Sequence, residues 1–392
     1  MWIGASFKHW QTTYDGQQNK MTVKLDTRSI ESPVATEIYI SATPNESAPP
    51  QGQAQEIFSG IRDILLSKGA YILQERVFSA PAVMEIVSGV RLNAYSGIDD
   101  GVAPSFLCGK EGILGPVAGV LIHAVKSHSR PERINVEGSL RGRILEVPGR
   151  TYLTLSNISD RHFAQATEQA EAILEKAESA LRQFGADFIS VPRTWMWLCD
   201  ILSWYEDFNE VRTKFFTKRG LIGEQTRQSM PASTGIGLCS ADGAKCAMDL
   251  TAVLQPPDST QYLQAVGKQQ CALEYGSAFS RASRAFTPAG ETVFVSGTAS
   301  IDARGATMNV GDAQGQIHAT IENIRAVLRD TQTTDEDVVQ AVAYCKTTEV
   351  EKIFYELKED LGWPCVTVIC DICRPELLFE MEATAMASVE ST

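Results

Sequence analysis

The sequence predicts an α+β fold of tandem units, each a mixed sheet with helices packed on one face. Three observations carry that expectation: a strand–helix–strand–helix–strand order that occurs twice, period-2 alternation in the strands, and helical spacing between them. Gly149-Arg-Thr-Tyr-Leu-Thr-Leu-Ser-Asn-Ile-Ser159 reads against Gly290-Glu-Thr-Val-Phe-Val-Ser-Gly-Thr-Ala-Ser300, both strands running into a polar turn. Helices are expected next, over 165–184 and 316–330. In the second, Ile321, Ile324, Val327 and Leu328 fall on one face. A strand follows each (187–193 and 337–346), then a second helix (197–219 and 350–361). Ala247-Met-Asp-Leu-Thr-Ala-Val253 and Phe379-Glu-Met-Glu-Ala-Thr-Ala385 close the two copies. The first hundred residues are less regular. Residues 1–36 read as an N-terminal arm, and the Pro/Gln/Ser stretch from Thr43 to Gln55 reads as a loop. The expected organisation is therefore this arm, an N-terminal unit over 37–265 and a C-terminal unit over 266–392.

Composition narrows the function. At 392 residues the chain suits two domains with a large core. No apolar run approaches the roughly 18–20 residues that span a bilayer. The stretch from Met1 to Trp10 lacks the basic-then-apolar order of a signal peptide, so a cytoplasmic protein without a membrane partner is expected. Nine cysteines are an odd number, and Cys370 and Cys373 form a lone C-x-x-C with no histidine nearby. Reduced thiols, no metal and no cofactor follow as expectations. The net charge of −13 argues against a nucleic-acid partner, whose phosphates need clustered Lys and Arg. A small anionic substrate stays open, because a few arginines in a cleft reverse the local field.

The two copies differ where chemistry would sit. In the better register of their closing strands Asp249 faces Glu382 and Ala247 faces Glu380, so Glu380 has no acidic counterpart and one working site per chain is expected. The closing Phe379–Ala385 strand, with Gly297-Thr-Ala-Ser-Ile-Asp302, Gln316 and Ile324, is similar to the RidA (YjgF/UK114) family. The chain further resembles the chorismatases, which are built from such RidA-like (chorismate mutase-like) units. Four segments carry that likeness: Trp204–Thr213, Met230–Gly237, Glu274–Ala282 and Cys373–Glu380. It runs over about residues 37–386. The arginine that RidA proteins carry upstream of this glutamate is absent, and Cys365 stands there. The resemblance implies a degenerate N-terminal RidA-like unit and a C-terminal one carrying the catalytic Glu380. It also implies an enzyme that releases pyruvate from chorismate. The resemblance further implies that Gly276 and Cys373 are the product-determining positions, and that their identities give 3-hydroxybenzoate, alone or with some 4-hydroxybenzoate. The alternatives are hydrolysis to a dihydroxycyclohexadiene carboxylate, or a RidA-like ligand-binding protein or imine deaminase. RidA proteins are trimers with sites between subunits, and a tandem chain satisfies much of that contact internally, so a monomer or a trimer is expected.

The residues themselves can do this chemistry. Protonating an enol carbon near pH 7 needs a carboxylic acid whose pKa is raised by burial. Glu380 lies in an apolar strand and shares a face with Glu382. The competing reading is an edge strand whose glutamates face water. A dianionic substrate calls for arginines. Tyr205, Asn209 and Arg212 share one helical face, which is either a binding stripe or a solvated surface. Arg281, Arg374 and Ser277 lie inside the motifs, and Lys346 ends a strand nearby. Ser233, Thr234, Gly235 and Gly237 read as a small-residue turn, and Gly276 as a glycine in a strand.

Overall fold

The computed structural model describes residues 7–12, 22–223 and 229–387. The first unit comprises β1 (Phe7–Thr12), β2 (Val23–Glu31), β3 (Ala35–Pro44), α1 (Pro50–Lys68), β4 (Tyr71–Ser79), α2 (Met84–Ala94), β5 (Ser105–Cys108) and β6 (Val117–Ser127). The second comprises β7 (Glu132–Val136), β8 (Ser139–Val147), β9 (Arg150–Ser159), α3 (Ala166–Arg182), β10 (Arg193–Leu198), α4 (Tyr205–Lys218), β11 (Ala232–Ile236), β12 (Cys239–Ser240) and β13 (Cys246–Gln255). The third comprises β14 (Gln261–Leu263), β15 (Ala282–Phe286), β16 (Glu291–Ala299), α5 (Ala313–Asp330), β17 (Val338–Cys345), α6 (Thr348–Leu357), β18 (Cys365–Ile369) and β19 (Phe379–Ala387).

The three sheets share one strand order: β1-β2-β3-β6-β4-β5, β7-β8-β9-β13-β10-β11 and β14-β15-β16-β19-β17-β18, with β12 added at the edge of the first. Each ends in one parallel pair, β4/β5, β10/β11 or β17/β18, joined through a helix as parallel strands require. The α+β class is as expected, and the pattern occurs three times where the sequence displayed two. The third occurrence spans the irregular first hundred residues and runs on to Ser127, and the stretch 37–265 holds strands of all three sheets, since β14 belongs to the third.

Local chemistry explains the differences. Within the expected arm, Val23–Glu31 is a strand of sheet one, as is Phe7–Thr12; residues 1–6 and 13–21 lie outside the described residues. The expected loop at 43–55 runs into α1, which starts with Pro50 at its first position, where a missing N–H costs nothing. Gln53, Ala54, Ile57, Phe58, Ile61 and Leu65 form its buried face. Trp197 belongs to β10, not to the following helix. That strand is buried on both faces, and from Trp195 to Leu198 it is a continuous apolar run rather than an alternation. Cys199 and Cys239 are disulfide-bonded, against the expectation of reduced thiols. No helix among the described residues is long and apolar enough to cross a membrane.

Each unit has its own core between sheet and helices. A further cluster joins Phe78 and Leu121 of the first unit, Trp195 and Trp197 of the second, and Val342, Tyr344 and Val366 of the third. The sheets therefore meet inward and the helices lie outside. Polar pins cross the same seams. Gln74 donates to Leu155 O, and Gln340 donates to Ile40 O and Ile122 O. Glu37, fully buried, accepts from Tyr39 Oη (3.0 Å), His123 Nε2 (2.7 Å), Thr287 Oγ1 (2.7 Å) and the Ala289 N–H (2.7 Å).

Burial pushes the Glu37 carboxyl up, but His123 and the other donors outweigh it, so its pKa lies below the ordinary value. A depressed carboxylate contributes stability above its unfolded pKa, and that stability is lost as pH falls through the folded value. Glu37→Gln is expected to lower unfolding stability by about 2–4 kcal/mol at pH 7. The deficit should shrink below about pH 4, as read from urea midpoints at both pH values.

Candidate active site

Glu380 sits on β19, which is central in its sheet between β16 and β17. It is 5% exposed, so the edge-strand reading does not hold. Its register partners are Ala299 and Tyr344. The β16/β19 ladder shifts register between Val295 and Thr298, at Gly297. A Cβ on Gly297 would collide with Glu380 Oε1 and lie 3.1 Å from Thr234 Cγ2 of the second unit. The carboxyl group thus fills the space that this glycine leaves open. Among the described residues it has no salt bridge. Burial, and then the charge of Glu382, push its pKa up to about 8, against the opposing pull of Arg193 and Arg374. A carboxyl in this state holds its proton at neutral pH and can give it up to carbon.

Glu382, by contrast, is paired. Its carboxylate accepts from Arg193 Nη2 (2.8 Å) and Trp195 Nε1 (2.8 Å), with Arg76 Nη1 at 3.6 Å. All three donors come from the other two units.

A cleft of about 1360 Å³ lies between α4 of the second unit and the 275–277 and 373–376 segments of the third. Tyr205, Gly276, Ser277, Cys373 and Arg374 line it, with Asn209 and Tyr275. Glu380 is not on its wall, but it is within electrostatic reach of Tyr205 and Cys373, which are. Burial raises both of those groups above their ordinary values, with Cys373 the next contributor at Tyr205 and Glu380 the next at Cys373, so both stay protonated.

Two buried arginines stand out at the back of this region. Arg212 donates to Asn209 Oδ1 (2.7 Å) and Ser233 Oγ (3.4 Å), and its guanidinium lies 4.9 Å from the Phe208 ring and 5.5 Å from that of Phe279. Arg281 donates to Gln270 O (2.9 Å) and also lies 5.5 Å from Phe279. Arg212 Nε and Arg281 Nη2 are buried donors without an acceptor. Neither arginine has a carboxylate partner among the described residues. A buried guanidinium with spare donors costs several kcal/mol unless an anion meets it. Tyr205 and Asn209 of the stripe line the cleft, Arg212 is buried behind Asn209, and Tyr205 is half-buried, so the solvated-surface reading falls away.

The remaining candidates divide. Arg374 donates to Gly305 O (2.6 Å) and keeps the cleft wall. Lys346 reaches Pro375 O (2.6 Å), bracing the turn behind Arg374 rather than lining the cleft. Gly276 is not in a strand. It ends a short 3-10 turn (Ala272–Tyr275) at φ +89°, a left-handed position that favours glycine. Residues 232–236 are the strand β11, not a turn, and Ser233 and Thr234 serve Arg212 and Arg193 instead of offering a backbone cradle. Sequence reasoning did not single out Arg193, Phe279 or the role of Gly297, and it read Thr234 only as part of a turn. A glycine inside an alternating strand was the one available signal for the last. Among the described residues no group of three His, Cys, Asp or Glu could hold a metal.

With the geometry in hand, the chain can be set beside known proteins. The family model described as Endoribonuclease L-PSP matches residues 272–387, which is the third unit. No curated protein matches the sequence. A crystal structure of a chorismatase superposes with a TM-score of 0.60 at 17% identity, covering 80% of this chain and 93% of that one. At that identity the likeness is one of fold. A Rid-family protein of unknown function from Yersinia pestis (18% identity, TM-score 0.29) covers 33% of this chain and all of its own. A YjgF/UK114-family protein from Mycobacterium tuberculosis (22%, TM-score 0.26) does the same.

Gly297→Ala forces the Glu380 carboxyl out of its place. The variant should fold with a melting temperature within a few degrees of the parent, at a cost of about 1–3 kcal/mol. Its catalytic rate should fall at least tenfold, measured beside a circular dichroism melt.

Proposed function

We propose that this chain is a chorismatase, with Glu380 protonating the enolpyruvyl ether of chorismate and pyruvate leaving. The observation that carries this reading is a buried, unpaired carboxyl at about pKa 8 near a cleft backed by two buried arginines with spare donors. A substrate with two carboxylates and an acid-labile enol ether matches both halves of that arrangement. In this reading the acid belongs to the 266–392 unit, and the 37–265 unit supplies the α4 wall with Tyr205 and Arg212. Arg281 and Arg374 complete the candidate clamp.

Protonation of the enol CH₂ leaves an oxocarbenium ion, and two fates conserve atoms. If water adds to that cation, pyruvate and a dihydroxycyclohexadiene carboxylate form, with one water consumed. If the ring hydroxyl displaces the protonated side chain, an epoxide-like intermediate opens and loses a ring proton to give 3-hydroxybenzoate and pyruvate, with no water consumed. Gly276 and Cys373 favour the second route here, since both line the cleft and both leave room beside the ring. A Cβ on Gly276 would meet nothing within 4 Å.

Purified protein is expected to release pyruvate from chorismate, followed by a coupled dehydrogenase assay. Glu380→Gln should reduce the rate by at least about 10³-fold, the upper part of the range for losing a general acid. Because only the protonated acid works, kcat should fall as pH rises through about 8. Absence of pyruvate, or full activity in Glu380→Gln, sinks the reading.

Product choice is tested separately by chromatography. Cys373→Val should divert part of the flux from 3-hydroxybenzoate to the diene diol. Gly276→Ala should do the same, with about 1 kcal/mol of turn strain added at its positive φ.

A further inference from the structure

We infer that Glu382 is a positioning residue for Glu380: it engages Arg193 and so leaves the acid without an ion pair. The inference rests on the reading of Glu380 as a proton donor. The two glutamates stand two residues apart on one strand and share a face, yet only one is paired. Arg193 is 2% exposed and divides its Nη2 between Glu382 Oε2 (2.8 Å) and Thr234 Oγ1 (2.6 Å). Trp195 Nε1 and Arg76 Nη1 hold the other oxygen of Glu382 from the far side. Arg76 lies in turn 3.6 Å from Asp249 Oδ2.

Arg193 therefore has two acceptors that are not Glu380. Thr234 turns its hydroxyl to Arg193, and its methyl lies beside Gly297, where the Glu380 carboxyl sits. The acid meets a methyl where an arginine would otherwise reach. The charged and titratable groups that face Glu380 are Glu382 on its own strand, its register partner Tyr344 from β17, Arg193 from β10, Arg374, Cys370 and Cys373 from the segment before β19, and Tyr205 from α4. Of the two cations, Arg374 is drawn to Gly305 O. Arg193 is the buried one, and its Nη1 has no acceptor. Neutralising Glu382 would remove a like charge from the acid and free Arg193 to pair with it. Both effects ionise Glu380.

The test compares Glu382→Gln, Arg193→Gln and the double variant, with two readouts. One is the alkaline limb of kcat for pyruvate release. The other is the infrared carboxyl signal of Glu380, isolated by subtracting the spectrum of each protein carrying Glu380→Gln. Glu382→Gln should move both midpoints to lower pH by one unit or more, about a tenfold loss of protonated acid above the midpoint. Its KM should stay within about twofold of the parent, since the clamp arginines are untouched. The double variant, which also removes the freed cation, should return both midpoints toward the parent. Unmoved midpoints in a folded Glu382→Gln, or a double variant shifted as far as the single, overturn the inference. Should Glu382→Gln fail to fold, Arg193→Gln decides: its infrared midpoint must rise, and a fixed or lowered midpoint is fatal. If the parent releases no pyruvate, the proton-donor reading fails while the infrared titration still reports whether Glu382 sets the state of Glu380.

Discussion

A carboxyl group in the middle of a central strand must be paired, neutral or expelled, because an unpaired buried charge costs several kcal/mol. This chain places two of them on β19, two residues apart, and gives them different solutions. Glu382 accepts from Arg193 and Trp195 and is ion-paired with Arg76, all drawn from the first two units. Glu380 receives no such partner and keeps its proton. The difference depends on how the sheets face one another. A third unit standing alone would have neither the arginines that satisfy one glutamate nor the Tyr205 wall that encloses the other.

The same topology occurs three times, but the position of Glu380 does not. Its partner on the neighbouring strand is Tyr344; the corresponding pairs are Trp197 with Ala247 and Phe78 with Gly119. At Gly119 a side chain would run into Ala42 O and Val366, so that seam is closed by close packing. Nearby, Glu351 of α6 accepts the Ile113 N–H (2.7 Å), and a segment of the first unit fills the space. Tandem fusion lets one interface keep a cleft while others turn into core. A symmetric homotrimer cannot do this, because each substitution appears at every interface.

Charge is arranged on the same principle. The chain is acidic overall, with a net charge of −13. Arg212 and Arg281 are nonetheless buried without carboxylates and share the ring of Phe279 between them. Aromatic faces offer a guanidinium partial compensation without occupying its N–H donors. Those donors stay available to an anion, so a local positive field persists inside an acidic protein.

The α+β class, the strand–helix order of the second and third units, the special standing of Glu380 and the one-faced stripe of Tyr205, Asn209 and Arg212 were legible in the sequence. They rest on period-2 and period-3.6 patterns and on comparing two internal copies, all of which are properties of the linear chain. The first unit escaped notice because the start of α1 is rich in Pro, Gln and Ser, and its apolar face emerges only once the helix is formed. The strand expected over 187–193 meets β10 only at Arg193, because Asp187 caps a 3-10 turn over Phe188–Ser190 and the strand itself is Arg193–Leu198. Other features belonged to the tertiary structure alone: the pairing of Cys199 with Cys239, the left-handed turn at Gly276, the diversion of Arg193 to Glu382, and the close fit of Gly297 under Glu380. Each joins residues tens to hundreds of positions apart or depends on a backbone angle, and neither is encoded in local spacing. The sequence by itself marked which carboxyl group was exceptional. Its protonation was decided by the tertiary structure, because a pKa is set by the charges and the solvent around a group, and here those charges come from other units of the fold.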